Sequence, residues 1–195
     1  MNHEKLINFL EAYGNPTEED HHNIRKYFKV REVHKKQVLI ERNMPCNKLF
    51  FVNSGLLRAY YTNENGKEIT RMVAWENRFL TNITSFKNHG DNNETIECIQ
   101  DGQILSINRE DFDILLSSLN LKGMYADILE EYNAMHIKRF EALNTSDAHH
   151  KIMHLKKEFP NLIRLLNDQL LASFLGISRE YLVKNKSLLY SKEEW

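Results

Sequence analysis

Short runs of alternating apolar and polar residues fill the chain between Val30 and Ile107, and they predict β-strands. The runs, in chain order, are VREV, QVLIER, KLFFVN, LLRAYYT, EITRMVA, TIECI and QILSI. Asn53-Ser54-Gly55 predicts a tight turn, and Asn63–Gly66 predicts a hairpin that ends in Asn-Gly. Many short strands separated by turns favour a jelly-roll, or double-stranded β-helix, over a parallel α/β sheet.

Helical periodicity surrounds this predicted roll, so the expected fold class is α+β. Residues 4–28 predict two helices, and Thr17 and Asp20 have the spacing of a capping box at the start of the second. Residues 110–144 predict a long helix with a break near Asn120–Gly123. A further helical region follows it, and we expect this region to form a separate C-terminal module.

Apolar residues recur along the long helix at alternating four- and three-residue steps, which is the spacing of a coiled-coil seam. The predicted seam residues are Tyr125, Ile128, Tyr132 and Met135. Such a seam can pack on the chain's own roll. Because a second apolar flank lies beside it, we favour a parallel contact between the long helices of two copies of the chain.

The stretch from Gln169 to Leu189 predicts two short helices joined by a sharp turn. Gly176 supplies the left-handed backbone that such a turn needs, and the Ser178 hydroxyl can cap the second helix. This pattern is typical of a helix-turn-helix, whose second helix enters the DNA major groove. The residues expected to contact bases or phosphates are Gln169, Ser178, Arg179, Glu180 and Lys184.

Two residues weaken the DNA-binding interpretation of the second helix. Val183 is expected on its outward face, and Asn185 falls at the centre of its inward, apolar face. The alternative is a ligand-binding or protein-interaction module whose helix-turn-helix no longer binds DNA.

Composition excludes few classes of protein. The chain has 195 residues and a net charge of −1, so no overall positive field indicates nucleic acid. Residues 147–195 carry eight Lys and Arg against six Asp and Glu, a balance of only +2. Two distant cysteines suit a reducing cytosol, and no apolar run approaches the ~20 residues of a membrane span. We therefore expect a cytoplasmic protein without a membrane partner.

No motif in the chain indicates catalysis. The sequence contains neither a phosphate-binding loop nor a nucleophile elbow. His150 and His154 lie four residues apart, as in some zinc sites, but no third ligand is near them in sequence. We expect no enzymatic activity, no cofactor and no metal.

The segment KLFFVNSGLLRAYYTNENGKE, Lys48 to Glu68, resembles the second and third strands of a cyclic-nucleotide-binding β-roll. With LASFLGISREYL near the C-terminus, the chain resembles the Crp/Fnr family of bacterial transcription regulators, especially its short Bacteroidetes-type members. The resemblance implies a homodimer, and its partners would be double-stranded DNA, an unknown small-molecule effector and RNA polymerase. The implied domains are an effector roll with N-terminal helices (1–120), a dimerisation helix (121–144) and a DNA-binding domain (145–195).

The resemblance also locates the effector pocket, and there the sequence departs from the family. Members that bind cyclic AMP carry Gly-Glu at the start of a short helix, followed by an Arg-Ser or Arg-Thr pair whose Arg contacts the phosphate. We align Asn77-Arg78 with the first motif and Asn92-Asn93 or Glu94-Thr95 with the second. The expected pocket residues are Arg78, Phe79, Asn92, Asn93 and Thr95. Because the phosphate-binding Arg is missing, binding of cyclic AMP is disfavoured.

Overall fold

Two four-stranded sheets form the centre of the computed structural model, which describes residues 2–88, 90–144 and 147–190. The strands are β1 Lys29–Val33, β2 Val38–Ile40, β3 Lys48–Val52, β4 Leu56–Thr62, β5 Glu68–Ala74, β6 Phe79–Leu80, β7 Thr95–Gln100 and β8 Gly102–Asn108. One sheet has the order β1-β8-β3-β6 and the other β2-β7-β4-β5, and the described strand pairs are antiparallel. This β-sandwich confirms the predicted antiparallel double sheet.

Strand β3 is apolar at consecutive positions because both of its faces are buried. Successive side chains of a strand point to opposite faces. Phe50 accordingly lies in the core between the two sheets, whereas Phe51 lies in a second core under the N-terminal helices. These helices are α1 (Glu4–Glu11) and α2 (Glu18–Tyr27).

Helix α2 begins with the predicted capping box. The Thr17 hydroxyl accepts a hydrogen bond from the Asp20 N–H at 3.1 Å, and the Asp20 carboxylate accepts one from the Thr17 N–H at 2.8 Å. Both free N–H groups are thereby satisfied.

Three features of the central region differ from the prediction. Strand β6 and a short helix, α3 (Ile83–Asn88), were not predicted. The break expected near Asn120–Gly123 is wrong, because those residues lie inside α5 (Leu119–Asn144). The helical region is interrupted earlier, after α4 (Arg109–Leu115). There the Ser118 hydroxyl accepts the Leu121 N–H and the Ser118 carbonyl accepts the Lys122 N–H, both in the first turn of α5.

The C-terminal helices share one core with the roll. They are α6 Ala148–Glu158, α7 Pro160–Leu165, α8 Asp168–Leu175 and α9 Arg179–Lys184, followed by a 3-10 turn at Lys186–Leu189. Leu56 and Val73 of the roll belong to the same buried cluster as Leu171 and Leu182 of these helices. The C-terminal helices therefore pack directly against strands β4 and β5.

Among the described residues, no helix is both long enough and apolar enough to cross a membrane.

Candidate functional sites

The turn between α8 and α9 has the conformation that its glycine predicts. Gly176 adopts a left-handed conformation with φ 63°, and the Ile177 N–H donates to the Ala172 carbonyl at 3.1 Å. The Ser178 hydroxyl accepts the Tyr181 N–H at 3.1 Å and so caps α9. Ala172 is buried where the two helices approach each other.

The outward face of α9 is open to solvent. Arg179, Glu180, Val183 and Lys184 are exposed, whereas Leu182 is fully buried on the opposite side. Gln169 on α8 is also exposed. The first turn of α9 therefore presents a guanidinium and a carboxylate side by side, two groups that can read guanine and cytosine edges in a major groove.

Asn185 does not disrupt the helix pair as its position suggested. Its side-chain amide donates to the Tyr181 carbonyl at 2.9 Å, and its backbone N–H ends α9. The predicted second helix therefore stops at Lys184. Asn185 is half-buried, and an amide whose hydrogen bond is made costs little, so the residue is compatible with the packing of the α8–α9 pair.

Helix α8 is fastened to strand β5 of the roll by polar contacts. The Ser173 hydroxyl accepts the Thr70 N–H at 2.9 Å and donates to the Glu68 carbonyl at 3.0 Å. The Thr70 hydroxyl lies 2.9 Å from the same oxygen, and Thr70 is fully buried.

Arg139 of α5 joins the same contact. Its guanidinium donates to the carbonyls of Thr70, at 3.0 Å, and Phe174, at 2.8 Å, and it lies 4.1 Å from the centre of the Phe174 ring. Burial, and to a lesser degree the neighbouring Arg71, lower the pKa of Arg139 to about 10. The side chain therefore stays charged at neutral pH and links α5, β5 and α8.

The predicted dimer seam packs on the chain's own roll. Ile128 is only 5% exposed and lies in the core under the N-terminal helices, together with Tyr125 and Tyr132. The Tyr132 hydroxyl accepts the Phe79 N–H at 2.8 Å, and Met135 packs against the other two cores. Periodicity identified the apolar face correctly, but its partner is intramolecular. The large apolar residues that α5 leaves exposed after its first turn are Leu129, Ile137 and Phe140.

A cavity of about 370 Å³ lies between strands β3, β5 and β6 and helices α1, α4 and α5. Its walls are mainly apolar, with Leu49, Leu80, Phe112 and Ile128 among them. The polar groups that reach it include Arg71, Thr81, Asn133 and His136. This volume falls in the range of about 300–1,000 Å³ typical of small-molecule sites.

The cavity contains Phe79 but none of the other four residues expected in the effector pocket. Arg78 lies 3.5 Å from Glu131 and stacks near Trp75. Asn92 is buried, and its side-chain amide donates hydrogen bonds to the carbonyls of Glu41, at 3.0 Å, and Glu94, at 2.7 Å. Two of the expected residues, Asn93 and Thr95, lie respectively on the surface and at the start of β7.

The alignment of Asn77-Arg78 with the start of the short helix is wrong. Helix α3 begins at Ile83, so the residues immediately before it are Thr81 and Asn82. Thr81 lines the cavity. The sequence reasoning missed both residues because α3, which identifies the position, is too short to give a periodic signal.

Asn92 and Glu94 are the two positions aligned with the missing phosphate-binding Arg. Glu94 forms an ion pair with Arg71, which lines the cavity. Its buried carboxylate accepts a hydrogen bond from Arg71 Nε, and Arg71 also donates to the Thr81 carbonyl at 3.0 Å. The second carboxylate oxygen, Oε2, is buried and has no hydrogen-bond partner among the described residues. Arg71, which the sequence analysis did not select, thus supplies the cation of this region, and a buried carboxylate neutralises it.

Comparisons with known proteins agree with this architecture. Residues 30–118 match the family model of the cyclic nucleotide-binding domain. No curated protein sequence matches the chain. Among solved structures, FixK2 from Bradyrhizobium japonicum is similar, with a TM-score of 0.70 and 13% identity over 84% of each chain.

Two further structures share the fold. CLP, a c-di-GMP-responsive global regulator from Xanthomonas campestris, gives a TM-score of 0.67 at 13% identity, over 88% of this chain and 92% of its own. A candidate transcriptional regulator of the Crp/Fnr family from Eubacterium rectale gives 0.65 at 18% identity, over 86% of this chain and 81% of its own. Residues 30–118 are therefore similar to the cyclic nucleotide-binding domain, and the fold as a whole resembles those of FixK2 and the Eubacterium rectale protein.

Proposed function

We propose that the chain is a dimeric, DNA-binding transcription regulator of the Crp/Fnr type. The observation that carries the proposal is the capped first turn of α9, where Arg179 and Glu180 are exposed while Leu182 and the apolar face of α8 pack inward. A helix held in this way can enter a major groove without moving its own core. Selection of binding sites from random double-stranded DNA tests the proposal directly, and we expect a palindromic sequence to be enriched.

An effector bound in the cavity can influence the position of α9 through two elements that contact both the cavity and α8. Strand β5 places Arg71 at the cavity and the preceding residue, Thr70, against Ser173. Helix α5 places His136 at the cavity and Arg139 against α8. A ligand that binds one arrangement of these elements better than another would change the position of α9, which is the mechanism we propose for regulation.

The dimer contact is proposed on the exposed face of α5 rather than on the predicted seam. Ile137→Glu places a charge in the apolar strip formed by Leu129, Ile137 and Phe140. We expect light scattering to show a dimer for the parent chain at micromolar concentration and a monomer for this variant. Leu119→Glu, at a still more exposed apolar residue in the first turn of the same helix, should remain dimeric. A monomeric parent would contradict the proposed contact.

Cyclic AMP is not expected to bind with useful affinity. Arg71 already donates to Glu94 and to the Thr81 carbonyl, and the buried Glu94 carboxylate would repel a phosphate. Calorimetry at millimolar cyclic AMP should therefore show no saturable heat. A dissociation constant in the micromolar range would show that the ion pair opens for the nucleotide.

One observation favours the alternative of a protein-interaction module. Val183 is 46% exposed on the outward face of α9, where an apolar side chain suits a protein surface. Random-DNA selection also separates the two functions, because an interaction module would enrich no sequence.

A further inference from the structure

The positive charge at the 370 Å³ cavity is neutralised by a carboxylate of the protein itself. Arg71 lines the cavity, and its Nε donates to Glu94, which is only 5% exposed. Among the described residues that line the cavity, Arg71 is the one Lys or Arg. An anionic ligand would have to compete with Glu94 for the same guanidinium, and burying it beside that carboxylate would be costly.

The helix side of the cavity adds no positive charge at neutral pH. His136 lies one turn before Arg139 on α5. Burial, and then the neighbouring Arg71 and Arg139, lower the pKa of His136 below its ordinary value. The imidazole is therefore neutral at pH 7, and with Asn133 and Thr81 it offers hydrogen bonds but no charge.

We propose that this cavity binds an uncharged, largely apolar small molecule, and that the Glu94–Arg71 pair excludes anions of the same shape. The proposal rests on the effector-sensing role proposed above and names its ligand class. Ile83, the first residue of α3, both lines the cavity and is exposed to solvent, so a ligand can enter beside it. The apolar walls supply the affinity, and the neutral polar groups fix the orientation.

Two fluorescent probes with the same aromatic skeleton test the charge rule, by which we mean that the cavity binds uncharged molecules and excludes anions of the same shape. N-phenyl-1-naphthylamine is uncharged, and 1-anilinonaphthalene-8-sulfonate adds one sulfonate to the same rings. We expect the parent chain to bind the uncharged probe saturably, at one per chain, and at least tenfold more tightly than the sulfonate. Equal affinities, or no binding of the uncharged probe, would overturn the proposal.

Glu94→Gln leaves Arg71 without its counter-charge but preserves the size of the side chain. Its affinity for the sulfonate should rise at least tenfold, and the sulfonate should raise its melting temperature. The double variant Glu94→Gln/Arg71→Met removes both charges, so it should again prefer the uncharged probe. If Glu94→Gln does not fold, the double variant still decides, because comparable binding of both probes by it would contradict the charge rule.

A second pair of variants shows whether the probe lies in the cavity. Ile83→Trp narrows the entrance and should weaken binding of the uncharged probe at least tenfold. Ile114→Trp introduces the same side chain at another exposed isoleucine, outside the cavity, and should leave binding unchanged. Unchanged binding in both variants would place the probe elsewhere and overturn the proposal.

These measurements use no DNA. If the probes behave as expected but random DNA enriches no sequence, the regulator function fails and the cavity's specificity stands. If DNA is bound but the probes show no preference, the ligand class alone is wrong.

Discussion

Arg179→Ala is expected to cost about 1–3 kcal/mol of binding free energy at the preferred DNA site and to relax the preference at one base pair. Arg179 is exposed in the first turn of α9, the part of such a helix that reaches deepest into the groove. A guanidinium there can donate two hydrogen bonds to one guanine. The measurement is a binding titration against the selected site and against each of its single-base variants.

Lys184→Ala is the matched control for Arg179→Ala, because it removes a positive charge from the same helix without removing a contact to a base. Lys184 is exposed in the last turn of α9, and we expect this turn to face a phosphate rather than a base edge. Its loss should weaken binding to all sequences alike and reduce the slope of log K against log salt by about one unit. If Arg179→Ala also weakens all sequences equally, α9 does not read bases.

Arg139→Met is expected to lower the free energy of unfolding by about 1.5–3 kcal/mol, the scale of hydrogen bonds to a charged group. It removes the donors to the carbonyls of Thr70 and Phe174 while keeping the apolar part of the side chain. Chemical denaturation measures the loss. Amide hydrogen exchange should increase most in α8 and β5, because Arg139 connects these two elements.

Lys138→Met provides the control for Arg139→Met. Lys138 is the preceding residue, is exposed, and pairs with Glu158 at 3.2 Å. Removing an exposed ion pair should change the free energy of unfolding by about 0–1 kcal/mol. If Arg139→Met is equally mild, the apolar contacts of α8 and the hydrogen bonds of Ser173 are sufficient to hold α8 to the roll.

Local signals in the sequence were sufficient for the strands and for the α8–α9 pair. Alternation predicted seven of the eight described strands, and Gly176 with Ser178 predicted the turn and the cap, since these properties depend only on neighbouring residues. Strand β6 and helix α3 were missed because two and six residues are too few to show a period.

The cavity and the long helix could not be predicted in the same way because they depend on distant contacts. Arg71 and Glu94 are 23 residues apart, and their pairing decides the charge of the cavity. Periodicity showed that Ile128 and Tyr132 share one face of α5, but it could not show whether that face meets the roll or a second copy. Within one chain Ile128 is buried against the roll, and contact of this face with a second copy stays a prediction.

The position of β8 within its sheet has a consequence for synthesis on the ribosome. Both β1 and β3 pair with β8, so neither has this neighbour until residue 108 has been translated. During that interval the nascent chain exposes the segment LFFV of β3, which in the finished fold is buried on both faces. Short apolar segments with high β-propensity associate readily with other chains. We therefore expect the emerging polypeptide to be prone to aggregation, and to bind chaperones, between the translation of β3 and that of β8.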